Sequence, residues 1–351
     1  MKTILAFYDA QHPDPGVMAA AGRILKRGGL VAFPTETVYG LGGDALNPEA
    51  AANIYAAKGR PSDNPLIVHI AGSEALEVLA AEVPEAAVRL ADHFWPGPLT
   101  MILPKAECVP KETTGGLDTV AIRMPSHPAA YELIRSSGIY IAAPSANTSG
   151  RPSPTTAAHV MEDLDGRIDM VIDGGKVEIG LESTIIDLTG DVPTILRPGF
   201  ITRRQLEEII GQVEVDPAII SGNYDPNLKP KAPGMKYRHY APKGDLTIVE
   251  GGREDVAMAI NHLTAENDAA GLKTAVIASE ENKALYRAPL VINIGPRAHE
   301  AEVAANLYDV LRRMDEMSVD RIYAESFSGE GIGTAIMNRL LKAAGHKVIR
   351  V

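Results

Sequence analysis

Cysteine is almost absent from this 351-residue chain, with Cys108 as the single example. One thiol cannot build a disulfide framework or a zinc site held by several cysteines. Long apolar runs are missing too, since no stretch reaches the roughly 18–20 residues of a membrane-spanning helix. The start, Met1–Tyr8, lacks the long apolar region and cleavage site of a signal peptide. These absences predict a cytoplasmic protein that does not engage a membrane.

Positive charge is in short supply. The chain has 34 Lys and Arg residues and 45 Asp and Glu residues, which gives a net charge of -11. A surface of this sign repels nucleic acid, so contact with RNA would need a local basic patch, and no stable nucleic-acid binding is expected. Apolar residues make up 45% of the chain and charged residues 23%, which is typical of soluble globular proteins.

Several sequence motifs that mark nucleotide-binding, metal-binding or catalytic sites are missing as well. The pattern G-x-x-x-x-G-K-[ST] does not occur, and Gly174–Lys176 lacks the upstream glycine. The run Gly329–Thr334 nearly fits G-x-G-x-x-G, but its third glycine is absent, so support for a nucleotide site there is weak. No His, Cys or carboxylate cluster has metal-ligand spacing, and no G-x-S-x-G motif marks a serine nucleophile. Neither a resident metal nor a protein nucleophile is expected.

The most informative stretch is Ile139–Thr155, which reads I-Y-I-A-A-P-S-A-N-T-S-G-R-P-S-P-T. A short apolar run typical of a buried strand stops at Pro144, and small hydroxyl- or amide-bearing residues follow. Small residues let backbone N–H groups face outward, so such a loop can wrap an anion. Ligands of open α/β sheets also lie beyond the carboxyl ends of strands. Taken alone, the stretch is equally consistent with a surface turn rich in Ser, Gly and Pro.

Two further polar loops follow predicted strands or helices. Pro34–Gly42 reads P-T-E-T-V-Y-G-L-G, whose hydroxyls and carboxylate could hold a polar ligand or cap the next segment. Lys58–Pro65 reads K-G-R-P-S-D-N-P, and its glycine and prolines predict a loop away from any helix face. There the planar guanidinium of Arg60 can donate two parallel hydrogen bonds, and the ammonium of Lys58 adds a compact positive charge. Both features suit the binding of a polyphosphate. A solvated basic turn is the alternative.

Two polar residues lie inside predicted strands. Arg123 lies between apolar neighbours in Thr119–Met124, where an arginine is costly unless it meets a carboxylate from the protein or from a ligand. His69 lies in Leu66–Ile70, and a single histidine on a strand is more typical of a satisfied core residue than of a catalyst.

The chain predicts two α/β domains, residues 1–212 and 243–351, joined by a linker over 213–242. Five strands alternating with helices in the last third indicate a small βαβ domain with a parallel sheet. The linker holds five prolines and shows no sustained helical or strand period. It ends in P-G-M-K-Y-R-H-Y-A-P at Pro233–Pro242. A passive tether needs neither aromatic nor basic residues, so this end favours a lid.

Seven motifs, found in one order along the whole chain, resemble those of the L-threonylcarbamoyladenylate synthases. The resemblance is to the YrdC-like long form, which carries an extra C-terminal domain. It implies a twisted α/β sheet with a large cavity, plus a smaller Rossmann-like βαβ domain. The motifs are Pro34–Gly42, Lys58–Pro61, Ser145–Asn147, Ser149–Thr155, Glu182–Asp187, Leu196–Gly199 and Pro233–Pro242.

The resemblance also implies an activity. The family makes threonylcarbamoyl-AMP and pyrophosphate from L-threonine, bicarbonate or CO2, and ATP with Mg2+. A separate tRNA threonylcarbamoyl transferase then passes the group to the adenosine beside the anticodon. The chemistry needs no protein nucleophile, since positioning and charge neutralisation are the protein's tasks. Mg2+ would be held mainly by phosphate oxygens and water, without dedicated protein ligands.

Matching the family motifs residue by residue implies two sets of site residues, with Lys58 and Arg60 also in a catalytic role. Arg123 would then find its carboxylate in threonine. The ATP-binding set is Lys58, Arg60, Asn64, Thr119, Ser145, Asn147, Ser153, Arg197 and Tyr240. The threonine-binding set is Thr37, His69, Arg123, Ala143 and Ser183. Two rival interpretations are an RNA-binding module, which the net charge of -11 and the missing RNP-type aromatic pattern disfavour, and a small-molecule sensor without turnover.

Overall fold

The computed structural model describes residues 2–221, 230–235 and 239–351, without the side chains of Ile220 and Ser221. Among these residues, no helix combines the length and apolar character needed to cross a membrane. The chain divides into two compact units. The first comprises Met1–Ser149, Ser153–Glu178 and Glu182–Lys236; the second comprises Gly150–Pro152, Ile179–Leu181 and Tyr237–Val351.

The first unit contains eight helices among its described residues, and side-chain caps explain where several begin. Asp14 accepts a hydrogen bond from Gly16 N, and Thr202 forms a capping box with Gln205. The helices are α1 Pro15–Lys26, α2 Pro48–Lys58, α3 Ala75–Leu79, α4 Glu85–Phe94, α5 Pro128–Ser137, α6 Ala157–Leu164, α7 Arg203–Ile210 and α8 Pro217–Ser221.

Eleven strands form the sheet of the first unit, in the order β1-β8-β2-β3-β7-β4-β6-β5-β9-β10-β11. Parallel and antiparallel neighbours are mixed, as the prediction of a twisted α/β sheet allows. The strands are β1 Ile4–Phe7, β2 Val31–Phe33, β3 Gly40–Asp44, β4 Ile67–His69, β5 Leu99–Pro104, β6 Thr119–Arg123, β7 Ile141–Ala143, β8 Met170–Asp173, β9 Thr184–Asp187, β10 Thr194–Arg197 and β11 Glu214–Val215.

The predicted linker is more regular than its sequence indicates. The short strand β11 and the helix α8 both lie within 213–221, so the expectation of no regular structure is wrong there. Residues of this segment up to 236 belong to the first unit, and the rest belong to the second. Positions 222–229 and 236–238 lie outside the described residues.

Strand register separates the two faces of the central part of this sheet. Val68, Ile122 and Met101 are neighbours across β4, β6 and β5, and they join the main apolar core. Ile67, Ala121 and Ile102 alternate with them and form a second, smaller apolar cluster on the other face. We call this other face the site face. Ala232 and Met235 pack against the smaller cluster and so cover part of it.

The second unit has an all-parallel sheet of five strands in the order β14-β13-β15-β12-β16. This confirms the predicted parallel βαβ domain. Numbered within the unit, the order is 3-2-4-1-5, which differs from the 3-2-1-4-5 run of a Rossmann sheet. The elements are β12 Asp245–Glu250, α9 Arg253–Ala269, β13 Thr274–Ser279, a 3-10 turn Lys283–Leu285, β14 Val291–Gly295, α10 Glu300–Glu316, β15 Arg321–Glu325, α11 Gly331–Ala343 and β16 Val348–Arg350.

Gly199, which follows β10, allows a close approach that predicts the effect of one substitution. A methyl group there would lie 2.5 Å from Thr184 N and 2.9 Å from Glu182 O. Gly199→Ala should therefore destabilise the first unit by about 1–3 kcal/mol through overpacking. Urea unfolding followed by the fluorescence of Trp95, the single tryptophan, measures this. Gly190→Ala is the control, because the nearest atom to a methyl group there, the carbonyl oxygen of Val192, would be 3.9 Å away. Equal losses of stability in the two variants would contradict the explanation.

Candidate active site

A row of polar side chains crosses three neighbouring strands on the site face. His69 ends β4, Arg123 ends β6, and Thr100 lies near the start of β5; the register pairs His69 with Arg123 and Arg123 with Thr100. Because side chains alternate along a strand, Thr119 and Ala143 point to this same face. Ala143 pairs with Ile67, and Thr119 is the half-buried first residue of β6.

Arg123 connects this row to the loop that follows β2. Its Nη1 donates to Thr37 Oγ1 at 2.9 Å, and its Nε donates to the carbonyl of Gly97 at 3.3 Å. Thr37 Oγ1 in turn lies 2.8 Å from Thr35 Oγ1. The structure thus brings together two residues of the predicted threonine-binding set, Thr37 and Arg123.

Arg123 also has a carboxylate partner inside the protein. Its Nη2 lies 2.7 Å from Oε1 of Glu36, and both side chains are buried. Of the two sources that the sequence left open, the protein and a ligand, the protein therefore supplies one carboxylate, and the contact with threonine stays a prediction. The other oxygen of Glu36, Oε2, is buried without a hydrogen-bond partner among the described residues. The sequence placed Glu36 in a polar motif but gave no sign of this pairing.

His69 is held in its neutral form. Burial lowers the pKa of its imidazole to about 3, and the nearby Arg123 charge acts in the same direction. Its Nδ1 lies 3.0 Å from the carbonyl of Ile67, which can only accept, so Nδ1 donates this bond. His69 therefore contributes a neutral polar surface beside Arg123 and no positive charge.

Arg197 and Ser183 form a second polar group next to this row. Nε of Arg197 donates to the carbonyl of Ser183 at 3.0 Å, and Nη2 donates to its Oγ at 3.1 Å. Ser183 Oγ lies 2.7 Å from Thr100 Oγ1, which ties the group to β5. Sequence reasoning missed Thr100, since one threonine at the start of an apolar strand carries no distinguishing signal.

Lys58 fixes the Ser145–Asn147 loop. It is the last residue of α2, which ends because Gly59 takes a left-handed conformation, so the expectation that Lys58 stands away from a helix is wrong. The buried Nζ donates to the carbonyls of Ser145, at 2.5 Å, and of Asn147. The ammonium thereby holds in place the loop predicted to wrap an anion.

Arg60 folds back onto its own loop. Its Nε donates to the carbonyl of Asn64 at 3.3 Å and its Nη2 to that of Pro65 at 3.1 Å. Asn64 is 1% exposed, and its Oδ1 has no hydrogen-bond partner among the described residues. The two cations of this segment therefore support different loops.

Backbone hydrogen bonds join the polar loops. Ala146 N donates to the carbonyl of Tyr39 at 2.8 Å, and Tyr39 N donates to that of Pro154 at 2.9 Å. Next to Pro154, Ser153 Oγ donates to Glu182 at 2.6 Å. The segments carrying Thr37, Ser145 and Ser153 are therefore neighbours in space, as the predicted sets require.

The described part of the predicted lid lies against the site face. The carbonyl of Pro233 accepts a bond from Arg197 Nη1 at 3.4 Å, and Lys231 pairs with Asp187 at 3.2 Å. Tyr240 is different, since it belongs to the second unit, where its ring stacks on Tyr308 with 5.1 Å between centroids. Its predicted nucleotide contact stays a prediction. Within the described residues, no group of three or more His, Cys, Asp and Glu side chains could hold a metal ion.

The low pKa of His69 predicts a pH dependence of stability. The folded state excludes a proton that the unfolded chain binds near pH 6.5, so stability is complete above this pH and falls as the pH drops toward 3. Over the first two pH units below 6.5, the loss is about 2–3 kcal/mol. Urea unfolding across this window should show a shallower fall in His69→Gln. The exposed His262→Gln variant should keep the wild-type slope; a wild-type slope in His69→Gln would contradict the assignment.

Comparison with known proteins identifies the family. A family model described as telomere recombination (Sua5, YciO and YrdC) matches residues 23–199, and one described as the C-terminal domain of threonylcarbamoyl-AMP synthase matches 201–345. The threonylcarbamoyl-AMP synthase of Bacillus subtilis is 54% identical over the full length of both chains, and that of Pyrococcus abyssi is 52% identical over 95% of this chain and 96% of its own.

Solved structures agree with this result. Pyrococcus abyssi Sua5, crystallised in complex with L-threonine, superposes with a TM-score of 0.93 at 49% identity and full coverage of both chains. Escherichia coli YciO matches at a TM-score of 0.50 and 25% identity, covering 56% of this chain and 95% of its own. With matches that extend from end to end in both sequence and structure, this chain belongs to the threonylcarbamoyl-AMP synthase family.

Proposed function

We propose that this protein forms threonylcarbamoyl-AMP and pyrophosphate from L-threonine, bicarbonate or CO2, and ATP. The observation that carries the proposal is the end-to-end identity of 54% with a relative bearing this name. The likeness to a protein crystallised with L-threonine supports threonine as the amino-acid substrate. The product would pass to a tRNA threonylcarbamoyl transferase in the cytoplasm.

The reaction requires the protein to bring two anionic reactants together and to exclude water from them. The threonine amine adds to CO2 and loses a proton to give a carbamate. A carbamate oxygen then attacks the α-phosphorus, and pyrophosphate leaves with the bridging electron pair. Both reactants are anionic, so the buried cations Lys58, Arg60 and Arg197 would lower the barrier by reducing their repulsion. No side chain needs to form a covalent intermediate.

Magnesium would arrive with ATP. The chemistry of the site suits this arrangement, because Oδ1 of Asn64 is a buried oxygen without a hydrogen-bond donor among the described residues. A neutral amide oxygen fits Mg2+ or one of its bound waters, the phosphates supplying the other ligands. The ion would withdraw charge from the triphosphate, and Asn64 would orient it.

Arg123 is the proposed receptor for the threonine carboxylate. It is already paired with Glu36, so a second carboxylate would have to share or replace that contact. Thr37 Oγ1 contacts Arg123 itself and Ser183 Oγ contacts Thr100, so both hydroxyls adjoin the polar row and could meet the amino acid's own polar groups. The neutral state of His69 fits this role, since a second fixed charge would disturb the balance.

Covering the site would protect the product. Threonylcarbamoyl-AMP is a mixed anhydride, and water attacks such compounds readily, so exclusion of water favours its accumulation. The segment 230–235, which contacts Arg197 and packs on the site face, is the part of the described chain suited to this task. It supports the interpretation of the linker as a lid.

The activity predicts a requirement for all three substrates and for two cations. Purified protein should release pyrophosphate only when L-threonine, bicarbonate and ATP are all present. Lys58→Ala and Arg60→Ala should each lower kcat/KM at least ~10-fold, the scale of one lost charge-assisted hydrogen bond. The exposed Lys111→Ala serves as the matched control. Turnover without threonine, or wild-type kinetics in both variants, would contradict the proposal.

The pairing of Arg123 with Glu36 predicts opposite effects of two substitutions on threonine binding. Arg123→Met should raise the KM for threonine at least ~10-fold with little change for ATP, because it removes the charge that receives the carboxylate. Glu36→Gln should lower the KM for threonine, because it removes the competing carboxylate. Steady-state kinetics with each substrate varied in turn measures both. If threonine KM is unchanged in both variants, Arg123 serves only Glu36.

A further inference from the structure

The second unit has a cavity of its own at the carboxyl edge of its parallel sheet. Strands β12, β13, β14 and β15 all end there, because parallel strands share one carboxyl edge. The cavity measures about 350 Å3, at the lower end of the range for small-molecule sites. The residues that matter in its lining are Arg253, Glu281, Asn282, Arg297, Glu325 and Ser326.

This cavity lies where the sheet changes its winding direction. The connection after β13 runs toward β14 at one edge of the sheet, whereas the connection after the neighbouring β15 runs the opposite way, toward β16 at the other edge. Connections that diverge from adjacent strands leave a crevice between them, and open α/β sheets bind their ligands in such crevices. The position of the cavity is therefore that of a ligand site.

A buried carboxylate organises the cavity wall. Glu325, the last residue of β15, is fully buried and accepts hydrogen bonds from Ser279 Oγ (2.9 Å), Asn282 Nδ2 (3.1 Å), Tyr286 OH (2.7 Å) and Arg297 Nη2 (2.6 Å). Burying a charge with this many partners is costly, and apolar side chains usually stabilise a fold at least as well. The arrangement is better explained by the geometry it imposes on its donors.

That geometry holds two guanidinium groups in place. Arg297 also donates to the carbonyl of Ser326 at 2.9 Å, and its guanidinium lies 5.2 Å from the ring centroid of Phe327. Arg253 donates to Asn282 Oδ1 at 2.7 Å and to the carbonyl of Glu281 at 3.0 Å. Asn282 therefore links Arg253 to the buried carboxylate, which Arg297 contacts directly.

Each arginine keeps donors for a ligand. Nη1 of Arg253 and Nη1 of Arg297 have no hydrogen-bond acceptor among the described residues. The carboxylates of the cavity are already engaged, Glu325 as above and Glu281 by the backbone N–H of Arg297 at 3.0 and 3.2 Å. The two Nη1 groups are charged donors that remain available, which favours an anion as the ligand.

We propose that the second unit binds a small molecule through its carboxylate or phosphate group, with Arg253 and Arg297 as the recognising residues. A fixed guanidinium loses little entropy when it meets an oxyanion, so preorganisation by Glu325 and Asn282 would strengthen binding. This site is separate from the polar row of the first unit and does not depend on the proposed synthesis of threonylcarbamoyl-AMP.

Hydrogen–deuterium exchange of the full-length protein tests the proposal, because it locates binding along the chain. Sodium phosphate and sodium malonate are the two probes, each at about 10 mM, the range of weak fragment-like affinity, with ionic strength held constant by NaCl. We expect slower exchange in peptides spanning 251–256 and 280–283. Protection by phosphate alone identifies a phosphate-bearing ligand, and protection by malonate alone identifies a carboxylate.

Arg253→Gln is the decisive variant, because this exposed side chain can be changed without uncovering Glu325. Its apparent affinity for the effective probe should fall at least ~10-fold. Arg287→Gln, which changes an exposed arginine elsewhere in the same unit, should bind as the wild type does. The proposal is overturned if neither probe slows exchange in these peptides, or if Arg253→Gln is protected as strongly as the wild type.

Discussion

The register between β4, β6 and β5 is the constraint on which the polar site of the first unit depends. Val68, Ile122 and Met101 pack into the main core, so the alternate positions must face the other way. A slip of one residue would send His69 and Arg123 into the apolar core and expose the core residues instead. The apolar side of the sheet therefore selects which polar residues can meet on the site face.

The buried charged and titratable side chains of this site are either paired or neutral. Arg123 is balanced by Glu36, His69 loses its proton, and Lys58 is surrounded by backbone carbonyls. Such buried polar groups are costly and seldom stabilise a fold. Their value lies in holding loops and donors in fixed positions, which is what a reaction between two anions requires.

The sequence predicted those features that depend on local chemistry. It indicated that Arg123 needs a carboxylate, that polar loops follow strand ends, and that the last third forms a parallel sheet. Its motifs were also specific enough to indicate the family. The partner of Arg123 was beyond its reach, since Glu36 lies far earlier in the chain and tertiary packing alone brings the two together.

The direction of a side chain was equally hard to predict. Lys58 and Arg60 are close in sequence, yet one turns to the Ser145–Asn147 loop and the other to its own loop, because Gly59 reverses the backbone between them. Tyr240 lies in the second unit, although its motif begins in the first. Spacing along the chain carries no information on these choices.

The second unit is discontinuous in the chain, and this affects how the protein can be divided. Gly150–Pro152 belongs to it: the carbonyl of Pro152 accepts a 2.7 Å bond from the buried Arg312, and that of Gly150 accepts one from Ala241. A fragment that starts at residue 237 would lose both of these acceptors. Gene fusions, split reporters or domain exchanges that cut the chain once, after the first unit, would therefore separate the second unit from Gly150–Pro152 and break these hydrogen bonds.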